Sequence, residues 1–147
     1  MIFVTVGTTR FDELVEAIDR IAHCLDEEII IQAGNHKYVP KNCQFFTFAN
    51  DILNYLKKAN IVIAHGGAGI TFEALDLHKK IISIINPNVL DSHQSDLLRK
   101  LSQEGHLIWC NDLNKLNIYI KEARKIRLKQ YVRPECGIGK MIVEWLG

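Results

Sequence analysis

Short apolar runs alternate with segments of helical period along most of the chain. Residues 2–6, Ile2-Phe3-Val4-Thr5-Val6, are β-branched or aromatic at every position, the composition of a strand covered on both faces. Over residues 11–25, Leu14, Val15, Ile18, Ile21, Ala22 and Leu25 fall on one side at a period near 3.6, which predicts a helix. The alternation continues. Strands are expected at 28–32, 44–48, 61–64, 81–85 and 106–110, and helices at 50–58, 70–77, 91–104 and 113 to about 130. Strands separated by helices pair in parallel, because each crossover helix returns the chain to the same edge of the sheet. The fold class is therefore α/β, a Rossmann-like parallel sheet with helices on both faces. Ligands of such sheets bind outside the carboxyl ends of the strands, which brings together the loops at 7–10, 48–52, 65–69 and 86–94.

The loop at 65–69 is the richest of these. Ile61-Val62-Ile63-Ala64 ends in His65-Gly66-Gly67-Ala68-Gly69, with three glycines in four positions, and Ile70 to Leu77 then follows with helix formers. A strand that ends in glycines and opens a helix directs unpaired N–H groups and the positive end of the helix dipole at one point, which suits a phosphate. The glycines lack the G-x-G-x-x-G spacing of a dinucleotide fold and are not followed by the Lys-Ser/Thr of a P-loop. Glu73, one turn further on, has the chemistry to accept both hydroxyls of a ribose. An acid in a first helical turn also complements the dipole without any ligand.

Three segments in order, VTVGTTRFDELV at 4–15, HGGAGITFEAL at 65–75 and DSHQSDLLRKL at 91–101, resemble the C-terminal, donor-binding domain of glycosyltransferase family 28. The likeness is strongest to the two-chain UDP-GlcNAc transferases of dolichol-linked glycan synthesis and their bacterial polysaccharide-synthesis relatives. It implies the C-terminal half of a GT-B fold and an inverting transfer of GlcNAc, or another hexose or uronic acid, from a UDP-sugar to a polyprenyl-diphosphate-linked acceptor. It also implies a separate membrane-anchored subunit that holds the lipid-linked saccharide. The UDP-sugar is then a substrate, and neither cofactor nor metal is expected.

Residue by residue, the resemblance brings Gly7, Thr8 and Thr9 to the diphosphate and sugar, with Arg10 as an added cation. It puts Phe48, Asn50 and Ile52 in the segment closing over uracil, where a backbone N–H and C=O read the base. His65, Gly66, Gly67, Ala68 and Gly69 meet the phosphates, Glu73 the ribose, and Asp91, His93 and Gln94 the sugar hydroxyls. Each has an alternative in ordinary folding. Thr8 or Thr9 suits the cap of the first helix, Asn50 or Asp51 that of the next, and Asp91 or Ser92 that of the helix from 91. A histidine at a strand end is often structural, and His65 is the one catalytic candidate, because the acceptor-side base of GT-B enzymes comes from the other domain. A non-catalytic UDP or nucleotide-sugar binding module that regulates a partner remains the alternative function.

Composition narrows this only at the margins. The 147 residues, 48% hydrophobic and 24% charged, suffice for one core, so residues 1–147 are expected to form a single donor-binding domain. A formal net charge of +1 leaves no global attraction for nucleic acid. Because residues 2–6 already read as a strand, no signal peptide is expected, and a cytoplasmic chain recruited to the membrane by its partner follows. Cys24, Cys43, Cys110 and Cys136 lack metal-site spacing and read as reduced thiols. From Lys121 to Arg133 six basic residues meet only Glu122, and Met141, Ile142, Val143, Trp145 and Leu146 give an apolar end. That region, about 130–147, is either a solvated helix face with a loose end or the segment that docks on the partner.

Overall fold

A computed structural model of the chain describes residues 1–86 and 92–132, without the side chains of residues 92 and 93. Six strands form one parallel sheet: β1 (Ile2–Thr5), β2 (Ile29–Gln32), β3 (Gln44–Phe46), β4 (Ile61–Ala64), β5 (Lys80–Ile84) and β6 (Ile108–Cys110). Their order across the sheet is β3-β2-β1-β4-β5-β6. The helices are α1 (Asp12–Ile21), α2 (Ile52–Lys58), α3 (Ala68–Asp76), α4 (Ser92–Gln103) and α5 (Leu116–Lys125), with 3-10 turns at Ala22–Cys24 and Leu113–Lys115. The expected α/β architecture is the one observed.

The side-chain alternation of a strand divides the interior between two faces. Ile2, Val4, Ile61 and Ile63 pack with Leu14, Val15 and Ile18 of α1 and Leu116, Ile120 and Ala123 of α5. Phe3, Val62 and Ala64 turn the other way, onto Leu56 of α2, Phe72 and Leu75 of α3, and Leu98 and Leu101 of α4. Because both faces are covered, the central strands are apolar at consecutive positions; every residue of β1 and of β4 is buried. The chain reverses its direction of travel across the sheet between β1 and β4, which are neighbours in register from Ile2 opposite Ile61 to Thr5 opposite Ala64. At such a reversal the two following loops diverge and open a crevice at the carboxyl ends.

Several element boundaries differ from the sequence expectation, and three of the differences matter here. β3 stops at Phe46, and Phe48 is 61% exposed beyond it. α3 begins at Ala68 rather than residue 70, so Gly69 belongs to the helix. α5 ends at Lys125 instead of about residue 130, with Ile126 extended at φ −79° and ψ 142°. Continuing that helix would carry the charged Arg127 onto the core-facing side that Leu116, Ile120 and Ala123 occupy. The extended path instead lets the Lys129 N–H donate to the Gly105 carbonyl at 2.9 Å and seats Tyr131 against Phe72 and His106, with ring centroids 5.8 and 5.3 Å apart.

Candidate functional site

The glycines after β4 do three different jobs. Gly66 has φ +88°, where an L side chain is strained. Gly67 is the residue before α3, and a Cβ there would lie 2.7 Å from Nε2 of His65. Gly69 has an ordinary φ, and a Cβ built on it meets nothing within 4 Å. Neither backbone nor packing within the described residues requires glycine at 69; what the glycine provides is open space at the helix end. No side chain caps α3, so the N–H groups of Ala68, Gly69 and Ile70 lack intrahelical partners and point into that space with the positive end of the dipole. Glu73 stands four residues after Gly69 on the same face and is exposed. Phe72, Ala74 and Leu75 hold the opposite face in the core.

His65 is half-buried, and its ring lies between Gly7 and Gly67; a Cβ at Gly7 would come within 3.1 Å of the ring. Its Nδ1 is 3.4 Å from the Thr5 carbonyl. A carbonyl only accepts, so this contact puts the proton on Nδ1 and leaves a lone pair on Nε2 in the neutral ring. Burial lowers the His65 pKa below its ordinary value, and the Thr5 carbonyl offsets this only in part. The imidazole is therefore uncharged near pH 7, a polar group at the crevice rather than a fixed cation.

The loop after β1 is built from the same neighbourhood. Gly7 has φ +63°, and its N–H donates to Thr5 Oγ1 at 3.1 Å, which itself donates to Gln32 Oε1 at 2.6 Å. Thr9 Oγ1 donates to the Val6 carbonyl at 2.7 Å, closing the turn. Neither Thr8 nor Thr9 caps α1, whose capping position is Phe11 without a side-chain bond. Arg10 instead pairs with Asp12 at 2.7 Å. Asn86, fully buried after β5, donates from Nδ2 to Thr9 Oγ1 at 3.3 Å and to the Arg10 carbonyl at 3.1 Å. Asn86 thus ties the first loop to the fifth. Sequence reasoning did not single it out; an asparagine ending an apolar strand was the available signal, because a buried amide must be satisfied.

At the far edge, Phe48 and Asn50 are exposed and Ile52 is half-buried against the second core face. The cap of α2 is Asp51, whose carboxylate accepts from the Asn54 N–H at 3.4 Å, so Asn50 is left without that task. β3 and β4 are three strand spacings apart, about 14 Å, the scale of a nucleoside diphosphate laid across the carboxyl ends. Gln94 lies half-buried in the first turn of α4. Asp91 and the His93 side chain fall outside the described residues. The described residues therefore bring Gly7, Thr9, His65, Gly66, Gly67, Ala68 and Gly69 together around the crevice, with Glu73 one helical turn above it.

A family model described as the glycosyltransferase family 28 C-terminal domain matches residues 1–140. The chain belongs to this family. The family 28 domain is 34% identical over 122 residues to the UDP-N-acetylglucosamine transferase subunit ALG13 of Homo sapiens, an alignment covering 74% of this chain and 11% of the human protein. The chain thus spans about a tenth of that relative's length. Its fold matches the NMR structure of ALG13 with a TM-score of 0.66 at 20% identity, over 97% of this chain and 94% of that one. The fold also matches Acinetobacter baumannii MurG, with a TM-score of 0.65 at 18% identity, over 99% of this chain and 44% of that one.

In the family 28 domain the crevice lies at the carboxyl ends of the strands of a GT-B-like parallel sheet. Among the described residues no group of three or more His, Cys, Asp or Glu is arranged to hold a metal ion, and no helix is long and apolar enough to cross a membrane.

Proposed function

We propose that this chain is the donor-binding, catalytic subunit of an inverting UDP-sugar glycosyltransferase. It moves GlcNAc, or a related hexose or uronic acid, to a polyprenyl-diphosphate-linked acceptor held by a separate membrane-associated subunit. The observation that carries the reading is the uncapped start of α3, with open space over Gly69 and a free carboxylate at Glu73 one turn away. A diphosphate seated there accepts from N–H groups already in place, so the negative charge that develops on the leaving UDP meets donors that need not reorganise. The ribose hydroxyls reach Glu73, and the uracil extends toward Phe48, Asn50 and Ile52. Asp91, His93 and Gln94 take the sugar hydroxyls. The neutral His65 contributes its polar edge to the β-phosphate or sugar, and the base that deprotonates the acceptor comes from the partner. UDP-sugar is a substrate in this scheme, which calls for no cofactor. Residues 1–147 act as one donor-binding domain at the cytosolic face of a membrane, with the tail as its docking segment.

Calorimetric titration of the chain with UDP and a panel of UDP-sugars tests base and sugar choice together. Glu73→Ala should weaken UDP binding by roughly 1.5–3 kcal/mol, the range for hydrogen bonds to a charged group, while its thermal midpoint stays unchanged. Asp91→Ala and Gln94→Ala should weaken the UDP-sugar and spare UDP. Undiminished UDP affinity in a folded Glu73→Ala chain would remove the ribose assignment, and no UDP binding by the unaltered chain would remove the donor site itself.

A further inference from the structure

At the amino ends of the strands, opposite the donor crevice, the chain builds a second concave surface that the transfer reaction does not use. A cavity of about 560 Å³ is lined there by Lys79, Lys80, Lys125, Arg127 and Lys129, with His78 and His106, and among the described residues no carboxylate lines it. Among the described residues none of these five cations pairs with an acid. Lys79 and Lys80 donate only to carbonyls, of Lys57 at 2.8 Å and Arg124 at 3.4 Å. An adjoining cavity of about 550 Å³ shares His78, Lys79 and Lys80 and adds Arg124. Its one carboxylate among the described residues, Glu27, is already neutralised by the Met1 ammonium at 3.0 Å and by Arg124 at 2.9 Å. So many cations in one hollow repel one another unless an anion enters.

The walls of the hollow are held in place at a conformational cost. His78 has φ +56° and is the one non-glycine residue with positive φ among those described. Its N–H donates to Leu75 and that of Lys79 to Ala74, at 3.0 and 3.1 Å, the paired bonds that close a helix end and ordinarily place glycine at this position. The histidine ring uses the strained position: its Nε2 accepts from the Gln130 amide at 3.0 Å, joining the end of α3 to the extended segment after α5. His106 Nδ1 lies 3.1 Å from the Lys129 carbonyl and secures the same segment from the other side. Strain kept at a polar cavity points to use.

We propose that this hollow is a binding site for a phosphate-bearing anion with two or more linked phosphates, separate from the donor crevice. A lysine ammonium is a point charge that suits phosphate oxygens from any direction, and Arg127 adds a planar fork able to take two of them. The same group can arrive as a free diphosphate or as the headgroup of an anionic phospholipid, and the cavity chemistry is common to both.

Site-resolved NMR of the full chain, titrated with pyrophosphate at physiological salt, tests the proposal independently of the donor site. Amide shifts are expected at His78–Lys80 and across 125–131, and the combined variant Lys79→Gln, Arg127→Gln, Lys129→Gln should bind at least about tenfold more weakly at those residues. The variant's remaining resonances report that it is folded. Shifts confined to the loop at Gly66–Gly69, or undiminished binding by the folded triple variant, would overturn the site. Flotation with phosphatidylcholine vesicles with and without diacylglycerol pyrophosphate then separates the sources. Binding only to vesicles that contain diacylglycerol pyrophosphate, lost in the triple variant, supports a headgroup; pyrophosphate binding without vesicle binding supports a free diphosphate.

Discussion

Burial keeps the His65 imidazole uncharged, and the consequence is a stability that depends on pH. In the unfolded chain His65 takes up its proton near the ordinary value of 6.5, whereas in the fold it does so only at lower pH. Between those two values the unfolded state binds more protons, so stability rises with pH across the interval and is lost as pH falls through it. His65→Asn should flatten this part of the curve. Comparing urea midpoints of both chains at about pH 5.5 and about pH 7.5 checks it; equal pH dependence in the two would show that His65 is not the group responsible. At this scale the sequence located the residues better than their tasks. Thr9 was legible as a loop residue, but only the structure shows its hydroxyl on the Val6 carbonyl rather than at a helix cap. Asn86 matters through partners 76 and 77 positions away, a relation that no local pattern contains.

The element that decides the site is α3 together with the turn that feeds it. Its glycines should respond to alanine with opposite signs. Gly67→Ala must displace the His65 ring, which a Cβ would meet at 2.7 Å, and should lower the melting temperature. Gly69→Ala meets nothing and removes a glycine from a helix, so it should stabilise the fold by about 0.5–1 kcal/mol. The added methyl nevertheless occupies the space above the free N–H groups, so the same variant should bind UDP more weakly. Thermal melts and UDP titrations of both variants check the pair. A Gly69→Ala chain that is more stable and binds UDP unchanged would show that the open space does not receive the ligand. The strand, the glycine turn and the helix were each legible from residue type. The separate reasons for the three glycines were not, because φ and clearance are set by what the rest of the chain packs around them.

Among the described residues, the two ends of one sheet carry different chemistry: neutral donors and glycines at the carboxyl ends, a cluster of cations without paired acids, Lys79, Lys80, Lys125, Arg127 and Lys129, at the amino ends. The chain remains packed through Tyr131, which sits on Phe72 and His106, at the start of the docking segment proposed for about 130–147. Truncation after Val132 should leave UDP affinity unchanged while abolishing partner-dependent transfer. Assembly and transfer assays with the acceptor subunit check this, and full transfer by the truncated chain would rule out a docking role for residues 133–147. The sequence by itself determined the α/β class, the six strands and their covering helices, and the strand–glycine–helix motif, because period and residue type are local properties of the backbone. Only the tertiary structure decided the strand order that sets β1 beside β4, the early end of α5 and the gathering of cations at the amino ends. These depend on long-range pairing and on where buried surface is available, and local propensity does not encode either.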